Sequence, residues 1–336
     1  MSDPIGRLSP VVRHAPAKLN LTLAVVGRRE DGYHALHSVF VPLGLGDRLS
    51  LALVGGERDS LHVTGLDCGP PEDNLVFRAL AVTRAALGGG WPGGPAPAPA
   101  LAVRLEKRIP VAAGLAGGSS DAAATVDGAL EAWGAELDET SRHALAARLG
   151  SDVPFFLAGG PALVEGRGEH VAPLHGLHGI PGVVLVTPRL TVRTPDVFEA
   201  FDAIRHHGDE AVRLSSAHLA EELRANLAAA DLVARAGVLA SANDLLPATA
   251  LVVPDLIPFK RDLSRLLHRP IGLSGSGPTL WALYASETEA AAAAAGVREA
   301  LETGKLVAPG SEPPFVSATT IVGHDDAQHH EEGRRP

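Results

Sequence analysis

A run of small residues between Pro110 and Ala124 carries the strongest chemical signal in the sequence. It reads Pro-Val-Ala-Ala-Gly-Leu-Ala-Gly-Gly-Ser-Ser-Asp-Ala-Ala-Ala. Small side chains let backbone N–H groups approach an anion closely, and Ser119 or Ser120 is expected to cap a helix that begins there and adds its dipole. The run predicts a phosphate-binding loop, although it is neither a Walker A loop nor a Gly-x-Gly-x-x-Gly dinucleotide motif. A turn that packs a helix closely on a sheet fits these residues equally well.

Three further segments could serve the same chemistry. Lys18 and Asn20 lie two apart on a predicted strand and so share one face, where a lysine is costly to bury unless it meets an anion. The turn Gly275-Ser-Gly277 offers exposed N–H groups and a hydroxyl. Asp152 is a carboxylate at a predicted helix-to-strand junction, where a capping or turn role is the more common use of such a residue.

Composition narrows the class of protein. The chain has 336 residues, a net charge of −10, 46% hydrophobic residues and one cysteine, Cys68. Collagen, coiled coils and disulfide scaffolds are excluded, and the acidic balance without a basic stripe argues against a nucleic-acid partner. No apolar run reaches the roughly 18 residues that cross a bilayer, so we expect no membrane partner and a cytoplasmic location. Only four of the 29 basic residues are lysines, which makes each lysine informative because arginine replaces lysine on a solvated surface but not where a compact ammonium is needed.

Hydrophobic periodicity predicts an α+β fold. We expect antiparallel strands at the start of the chain, with a tight turn at Gly44, Gly46 and Asp47, and strands that alternate with helices in the later part. The predicted strands include residues 18–26, 37–43, 48–54, 101–105, 155–158, 162–165, 183–187, 279–284 and 314–321, and the predicted helices include residues 75–87, 138–149, 195–204, 255–267 and 287–303. The pattern restarts near residue 182, which places an N-terminal domain at 1–175, a C-terminal domain at 176–322 and a disordered tail at 323–336.

Taken together and in this order, the motifs resemble the GHMP kinase superfamily. They are Ala15-Pro-Ala-Lys18-Leu-Asn20, Asp31-Gly-Tyr33-His34, Asp73-Asn74-Leu75, the loop from Pro110, Gly150-Ser-Asp152-Val-Pro-Phe-Phe, Asn243-Asp244-Leu and Ser274-Gly-Ser-Gly-Pro278. The resemblance implies an N-terminal domain like domain 2 of ribosomal protein S5, a ferredoxin-like C-terminal domain, and an active site in the cleft between them.

Within that superfamily the Asp-Gly-Tyr-His and Gly-Ser-Asp-Val-Pro-Phe-Phe elements resemble the branch that acts on a cytidine-diphosphate derivative of methylerythritol. The resemblance implies transfer of the γ-phosphoryl group of ATP to the tertiary 2-hydroxyl of that small molecule, in the non-mevalonate route to isoprenoid precursors, with Mg²⁺ as cofactor. It makes Asp152 the catalytic base, which a poorly acidic alcohol requires. Lys18 becomes the catalytic lysine, and Asn20 helps to orient the substrate hydroxyl or the base.

The loop would then bind the phosphates of ATP. The resemblance places Asn74 and Lys107 near the adenosine. The implied nucleotide-binding residues of the loop are Pro110, Val111, Ala112, Ala113, Gly114, Leu115, Ala116, Gly117, Gly118, Ser119 and Ser120. Because alanine stands where many relatives have glycine, we expect Ala112, Ala113 and Ala116 at negative φ and expect the three glycines of the loop to be required. No acidic metal cluster is evident, so Mg²⁺ would reach the site with ATP, through Ser119 or Ser120 or through water.

The cytidine end of the substrate would meet aromatic residues. Tyr33 and Phe198 are expected to sandwich the cytosine, as base–aromatic stacking favours, His34 would read its edge, and Thr194 is a further polar contact. A core position is an equally good interpretation of Phe198. Two alternatives remain, a GHMP kinase for homoserine or a sugar, and a catalytically silent nucleotide-binding member. We expect a monomer or a weak homodimer.

Overall fold

The computed structural model describes residues 9–88, 91–92, 97–204 and 208–323. Its Cα packing divides the chain into two compact units, each built from several segments. The first comprises residues 9–17, 45–111 and 116–157, and the second comprises residues 18–44, 112–115 and 158–323. The predicted tail lies outside the described residues apart from Gly323.

The first unit places helices on one sheet. Strand β4 (Ser60–Gly65) pairs in parallel with β5 (Leu101–Lys107), and β5 pairs antiparallel with the second half of β3 (His34–Leu53). Helices α1, α2 and α3 supply most of the apolar side chains that form the core against these strands. The elements of this unit are the start of β1 (Val11–Asn20), the end of β3 (His34–Leu53), β4 (Ser60–Gly65), α1 (Leu75–Ala86), β5 (Leu101–Lys107), α2 (Gly117–Trp133), α3 (Glu139–Leu149) and α4 (Val153–Ala158).

The second unit contains a four-stranded antiparallel sheet in the order β11-β12-β9-β13. Every residue of β9 is buried, as expected of a strand covered on both faces, and α10 and α11 pack their apolar faces against the sheet. The ferredoxin-like part of the prediction agrees with this layer. The remaining elements are β2 (Ala24–Arg28), β6 (Ala162–Gly166), β7 (His170–Pro173), β8 (Leu177–His178), β9 (Gly182–Thr187), α5 (Thr194–Ile204), α6 (Glu210–Arg224), β10 (Leu227–Ala228), α7 (Ala229–Ala234), α8 (Ala236–Leu239), α9 (Leu246–Val252), α10 (Leu256–Leu267), β11 (Gly272–Leu273), β12 (Leu280–Tyr284), α11 (Glu287–Glu302) and β13 (Phe315–Thr320).

The predicted turn at residues 44–47 is wrong, because β3 runs through it without a break. Its glycines instead allow close approach. A Cβ at Gly46 would lie 2.3 Å from the His14 ring and 2.8 Å from the Ala15 carbonyl oxygen. Asp47, read as a turn residue, points its buried carboxylate into the first unit. β3 contributes to both units, which is why each unit is built from discontinuous segments of the chain.

The boundary predicted near residue 175 and the cleft predicted between two domains stay predictions. The strand predicted at 155–158 is wrong, since these residues belong to α4, and a short apolar run cannot distinguish the two structures by period. Asp152 accordingly lies at a junction between two helices, α3 and α4. The five helices predicted from the sequence are confirmed to within a residue or two at each end. In the part of the chain that the structure describes, no helix has the length and apolarity needed to cross a membrane.

Candidate active site

Lys18 is the best-connected candidate in the second unit. It lies near the end of β1 with only 4% of its surface exposed, and its ammonium donates to Asn20 Oδ1 at 2.6 Å and to the Gly114 carbonyl at 3.0 Å. The ammonium also lies 4.7 Å from the centre of the Phe40 ring, within cation–π range. The prediction that Lys18 and Asn20 share a face is confirmed, and the loop supplies an oxygen to that face.

The turn at Ser274 and Gly275 borders the same ammonium. Ser274 Oγ donates to the Gly114 carbonyl at 2.9 Å, and a Cβ at Gly275 would lie 3.3 Å from Asn20 Oδ1. Asn243 holds this turn in place, because its Nδ2 donates to the carbonyls of Leu273 at 3.0 Å and Gly275 at 2.9 Å. The Asn-Asp-Leu motif therefore has a structural role in shaping the turn.

Backbone conformation in the loop differs from the prediction. Ala112 and Ala116 have φ of 53° and 54°, so the expectation of negative φ at both is wrong, and the strain of an L-residue in this region is of order 1 kcal/mol each. Gly114 has φ 76°, and a Cβ there would lie 2.4 Å from the Ser274 carbonyl oxygen, so it does require glycine. Gly118 does not, because the nearest atom to its Cβ position is 3.8 Å away.

Helix α2 begins earlier than predicted. Ala116 is its N-cap residue and makes no side-chain cap, and the first helical residue is Gly117, so Ser119 and Ser120 are first-turn residues and neither is the cap. The first hydrogen bond of the helix runs from the Ser120 N–H to the Ala116 carbonyl at 3.0 Å. The N–H groups of Gly117, Gly118 and Ser119 precede it and have no acceptor within the helix. The Ser120 hydroxyl is buried and has no hydrogen-bond partner among the described residues.

The first unit gathers other predicted residues around this helix start. Asn74 caps α1, its Oδ1 accepting from the Val76 N–H at 3.0 Å, and the following Leu75 lies 3.8 Å from the Cβ position of Gly118. Ser119 Oγ lies 3.8 Å from the Cβ position of Gly150, two residues before the half-buried Asp152. The structure thus brings the end of the loop close to the segment that carries Asp152.

Lys107 is buried for a reason that strand parity explains. Leu101, Val103, Leu105 and Lys107 alternate inward along β5, which leaves the lysine 3% exposed. Its ammonium lies between two carboxylates, donating to Asp47 and, at 2.7 Å, to Asp121 Oδ2. Its predicted contact with the adenosine stays a prediction, whereas its pairing with two buried acids is observed.

These charges hold both ends of the loop. Asp47 also accepts from the N–H groups of Arg108 and, at 2.9 Å, Ile109, just before the loop, and Asp121 lies just after it in α2. Burial, and secondarily the nearby Asp47 carboxylate, raise the pKa of Asp121 to about 7 against the opposing effect of Lys107. The pKa of Lys107 is raised because its two carboxylates outweigh burial. One ammonium therefore faces two carboxyl groups, one of which holds a proton up to near neutral pH.

Two of the residues predicted to hold a cytosine, His34 and Phe198, are in contact in the second unit. The His34 ring stacks on Phe198 with centroids 4.6 Å apart and planes inclined by 16°, and His34 Nε2 lies 2.7 Å from Asp202 Oδ1. Tyr33 is 53% exposed, with the Arg167 guanidinium 5.4 Å from its ring centre. The sandwich itself stays a prediction, and the structure adds that His34 covers one face of Phe198.

Thr194 lies at the start of α5, with Oγ1 2.9 Å from Ser276 Oγ. This contact connects a predicted substrate residue to the turn that borders Lys18.

Sequence reasoning missed several residues that organise these groups. The pattern predicts Asp47 in a turn and assigns no role to Asp121. The inward parity of Lys107 was the available signal that two anions had to be near it. Ser38 and Asp202 gave no signal, because their partners come from distant segments.

Comparison with known proteins agrees with the two-unit architecture and the loop. The family "GHMP kinases N terminal domain" matches residues 74–160, which contain the loop and Asp152. The crystal structure of a homoserine kinase from Cytophaga hutchinsonii superposes with a TM-score of 0.66 at 17% identity, covering 96% of this chain and 98% of that one, which shows the fold alone. The fold and the loop define a GHMP kinase.

Relatives of higher identity narrow the family. A 4-diphosphocytidyl-2-C-methyl-D-erythritol kinase from Pelotomaculum thermopropionicum is 38% identical over 284 residues, covering 84% of this chain and 92% of the relative. One from Rhizobium meliloti is 34% identical over 315 residues, covering 92% and 94%. A crystal structure of 4-(cytidine 5'-diphospho)-2C-methyl-D-erythritol kinase superposes with a TM-score of 0.67 at 32% identity, over 93% of this chain and 100% of that one. The chain belongs to the 4-diphosphocytidyl-2-C-methyl-D-erythritol kinase family.

The charge cluster under the loop predicts a pH-dependent stability. Because the pKa of Asp121 is raised from 3.8 to about 7 in the folded protein, this residue takes up a proton on folding, and the stability it confers in acid is lost as the pH rises through about 7. Asp121→Asn keeps the shape without a titratable proton. We expect its melting temperature to fall less than that of the wild type between about pH 5 and pH 8.

The matched control is Asp138→Asn in the same unit. The hydrogen bond from Ser141 lowers the pKa of Asp138, so Asp138 titrates below this pH range, and asparagine preserves its helix cap. Parallel pH profiles for Asp121→Asn and the wild type would show that Asp121 is not protonated on folding.

Proposed function

We propose that the chain phosphorylates the 2-hydroxyl of 4-diphosphocytidyl-2-C-methyl-D-erythritol with ATP, acting in the cytoplasm as a monomer or weak homodimer. The observation that carries the proposal is the buried Lys18 ammonium, bonded to the loop carbonyl of Gly114 and to Asn20. It sets a fixed positive charge beside the loop carbonyl of Gly114. The names of the relatives support the substrate.

Phosphoryl transfer depends mainly on alignment and charge neutralisation. In the proposed mechanism the N–H groups at the start of α2 bind phosphate oxygens of ATP, with the rest of the loop shaped around them. Asp152 removes the proton of the tertiary hydroxyl, which is too weak an acid to ionise at neutral pH. Lys18 stabilises the negative charge that develops at the attacking oxygen.

Mg²⁺ would enter with the nucleotide. Among the described residues no group of three His, Cys, Asp or Glu side chains could hold a metal ion. Mg²⁺ is commonly bound by substrate phosphates, waters and one or two protein oxygens, and the buried, unpartnered Ser120 hydroxyl at the start of α2 is an oxygen of this kind. When bound, the ion neutralises phosphate charge, and the chain orients the nucleotide that carries it.

Recognition of the cytidine end is assigned to Tyr33, His34 and Phe198. The exposed Tyr33 ring offers a flat apolar face, and base–aromatic stacking contributes about 1–3 kcal/mol per base. Asp202 holds His34 Nε2, so the histidine is oriented before a ligand arrives. A homoserine or sugar kinase would not need this aromatic group, and the distant structural relatives support the fold only.

The substrate assignment is tested by ADP release from Mg-ATP with purified protein. We expect turnover with the cytidine-diphosphate methylerythritol and background rates with homoserine and hexoses. The free methylerythritol phosphate, which lacks the cytidine, should be a poor acceptor, because the aromatic contacts would be unused. Turnover with homoserine or a hexose, without turnover of the cytidine substrate, would sink the assignment.

The role of Asp152 is tested by Asp152→Asn, which keeps size and polarity but cannot accept the proton. We expect kcat to fall by about 10²–10⁴, with KM for ATP unchanged within about threefold because binding is not removed. Asp138→Asn serves as control, since asparagine keeps the cap of α3. Activity that survives in Asp152→Asn would make Asp152 a structural turn residue.

A further inference from the structure

A buried chain of polar groups leads away from Lys18 through β1 and β3. Lys18 Nζ donates to Asn20 Oδ1 at 2.6 Å, and Asn20 Nδ2 donates to Ser38 Oγ at 3.1 Å. The Ser38 hydroxyl donates in turn to the Thr22 carbonyl. All of these side chains are nearly inaccessible, with exposures of 4% for Lys18, 3% for Asn20 and 0% for Ser38.

The direction of each hydrogen bond is fixed by chemistry. An ammonium has only donors, so the side-chain amide of Asn20 must present its oxygen to Lys18. Its NH₂ group then needs an acceptor on the opposite side, and Ser38 Oγ is placed there. Because the Ser38 hydroxyl donates its hydrogen bond to the Thr22 carbonyl, its oxygen accepts the hydrogen bond from Asn20.

The far end of this chain is itself anchored. Thr22 Oγ1 accepts from the Val39 N–H at 3.0 Å and donates to Ser216 Oγ at 2.8 Å. Ser216 lies on α6 and is 0% exposed. The carbonyl that accepts the Ser38 hydrogen bond therefore belongs to Thr22, which is held by both a strand and a helix. This limits the positions open to Ser38.

We propose that Ser38 is a positioning residue for phosphoryl transfer, which holds the Asn20 amide in the single orientation that keeps its oxygen on the Lys18 ammonium. Without the Ser38 hydroxyl the buried amide NH₂ would have no hydrogen-bond acceptor among the described residues, and a rotated amide would direct its donors at an ammonium. The role passes through Asn20 and does not touch the substrate. The proposal rests on the proposed function of Lys18.

The test is a double-mutant cycle of Ser38→Ala and Asn20→Ala, measured as kcat and KM. Ser38→Ala should lower kcat about tenfold, which is about 1.4 kcal/mol of barrier, with KM for both substrates nearly unchanged. In the Asn20→Ala background the Ser38→Ala change should have no further effect, because the amide it positions is gone. Thr83→Val is the matched control, since it removes a buried hydroxyl of the first unit and should leave kcat unchanged.

Additive losses in the two backgrounds would overturn the proposal, as would a wild-type kcat in Ser38→Ala. If Ser38→Ala does not fold, Ser38→Cys replaces it, because a thiol of similar shape is a much weaker acceptor. A wild-type kcat in Ser38→Cys would then contradict the proposal, and a lowered kcat that vanishes in the Asn20→Ala background would support it. Should the wild type use another acceptor, the substrate assignment fails and the same cycle with that acceptor still tests Ser38.

Discussion

A buried ammonium has to be surrounded by oxygen, and this requirement at Lys18 shapes the rest of the second unit's site. Burial of an unpaired charge costs many kcal/mol, so each neighbour of Lys18 has to present an acceptor or an aromatic face. Asn20, the Gly114 carbonyl and the Phe40 ring do so. The residue that supplies this carbonyl, Gly114, has a left-handed backbone, and a Cβ there would lie 2.4 Å from the Ser274 carbonyl oxygen. The ammonium is therefore met by a carbonyl that a glycine supplies and by the amide oxygen of an asparagine.

The first unit meets the same requirement differently. Lys107 is brought inside by the alternation of β5 and is neutralised by carboxylates instead of carbonyls. These partners hold the residues before and after the loop, so the lysine stabilises the loop's base without needing a ligand.

A chain of net charge −10 can still offer local positive potential, since helix N–H groups and one fixed ammonium act over a few ångströms while distant acidic side chains are screened.

Local patterns predicted much of the fold and of the candidate site. The shared face of Lys18 and Asn20, the cap at Asn74 and the glycine at Gly114 follow from periodicity and backbone sterics. Three-dimensional context decided the rest. The predicted turn at Gly46 is wrong because the sequence cannot show whether a glycine bends the chain or allows a neighbouring residue to approach closely. The left-handed alanines at 112 and 116 were missed because their strain is offset by surroundings that sequence does not display. Ser38 and Asp121 act through partners from other segments, so no local motif marks them.

The central claim is that a compact, fixed ammonium at Lys18 stabilises the attacking oxygen during phosphoryl transfer and does not contribute to ATP binding. Single-turnover phosphoryl transfer by Lys18→Arg and Lys18→Met, with ATP affinity measured by calorimetry, tests it most directly, with the exposed Lys305→Met as control. We expect both Lys18 variants to transfer phosphate at least about 10²-fold more slowly. Lys18→Arg is included because a guanidinium cannot occupy the site of an ammonium. The ATP Kd of both variants should stay within about threefold of wild type. Wild-type transfer by Lys18→Arg, or a loss confined to ATP affinity, would contradict the account.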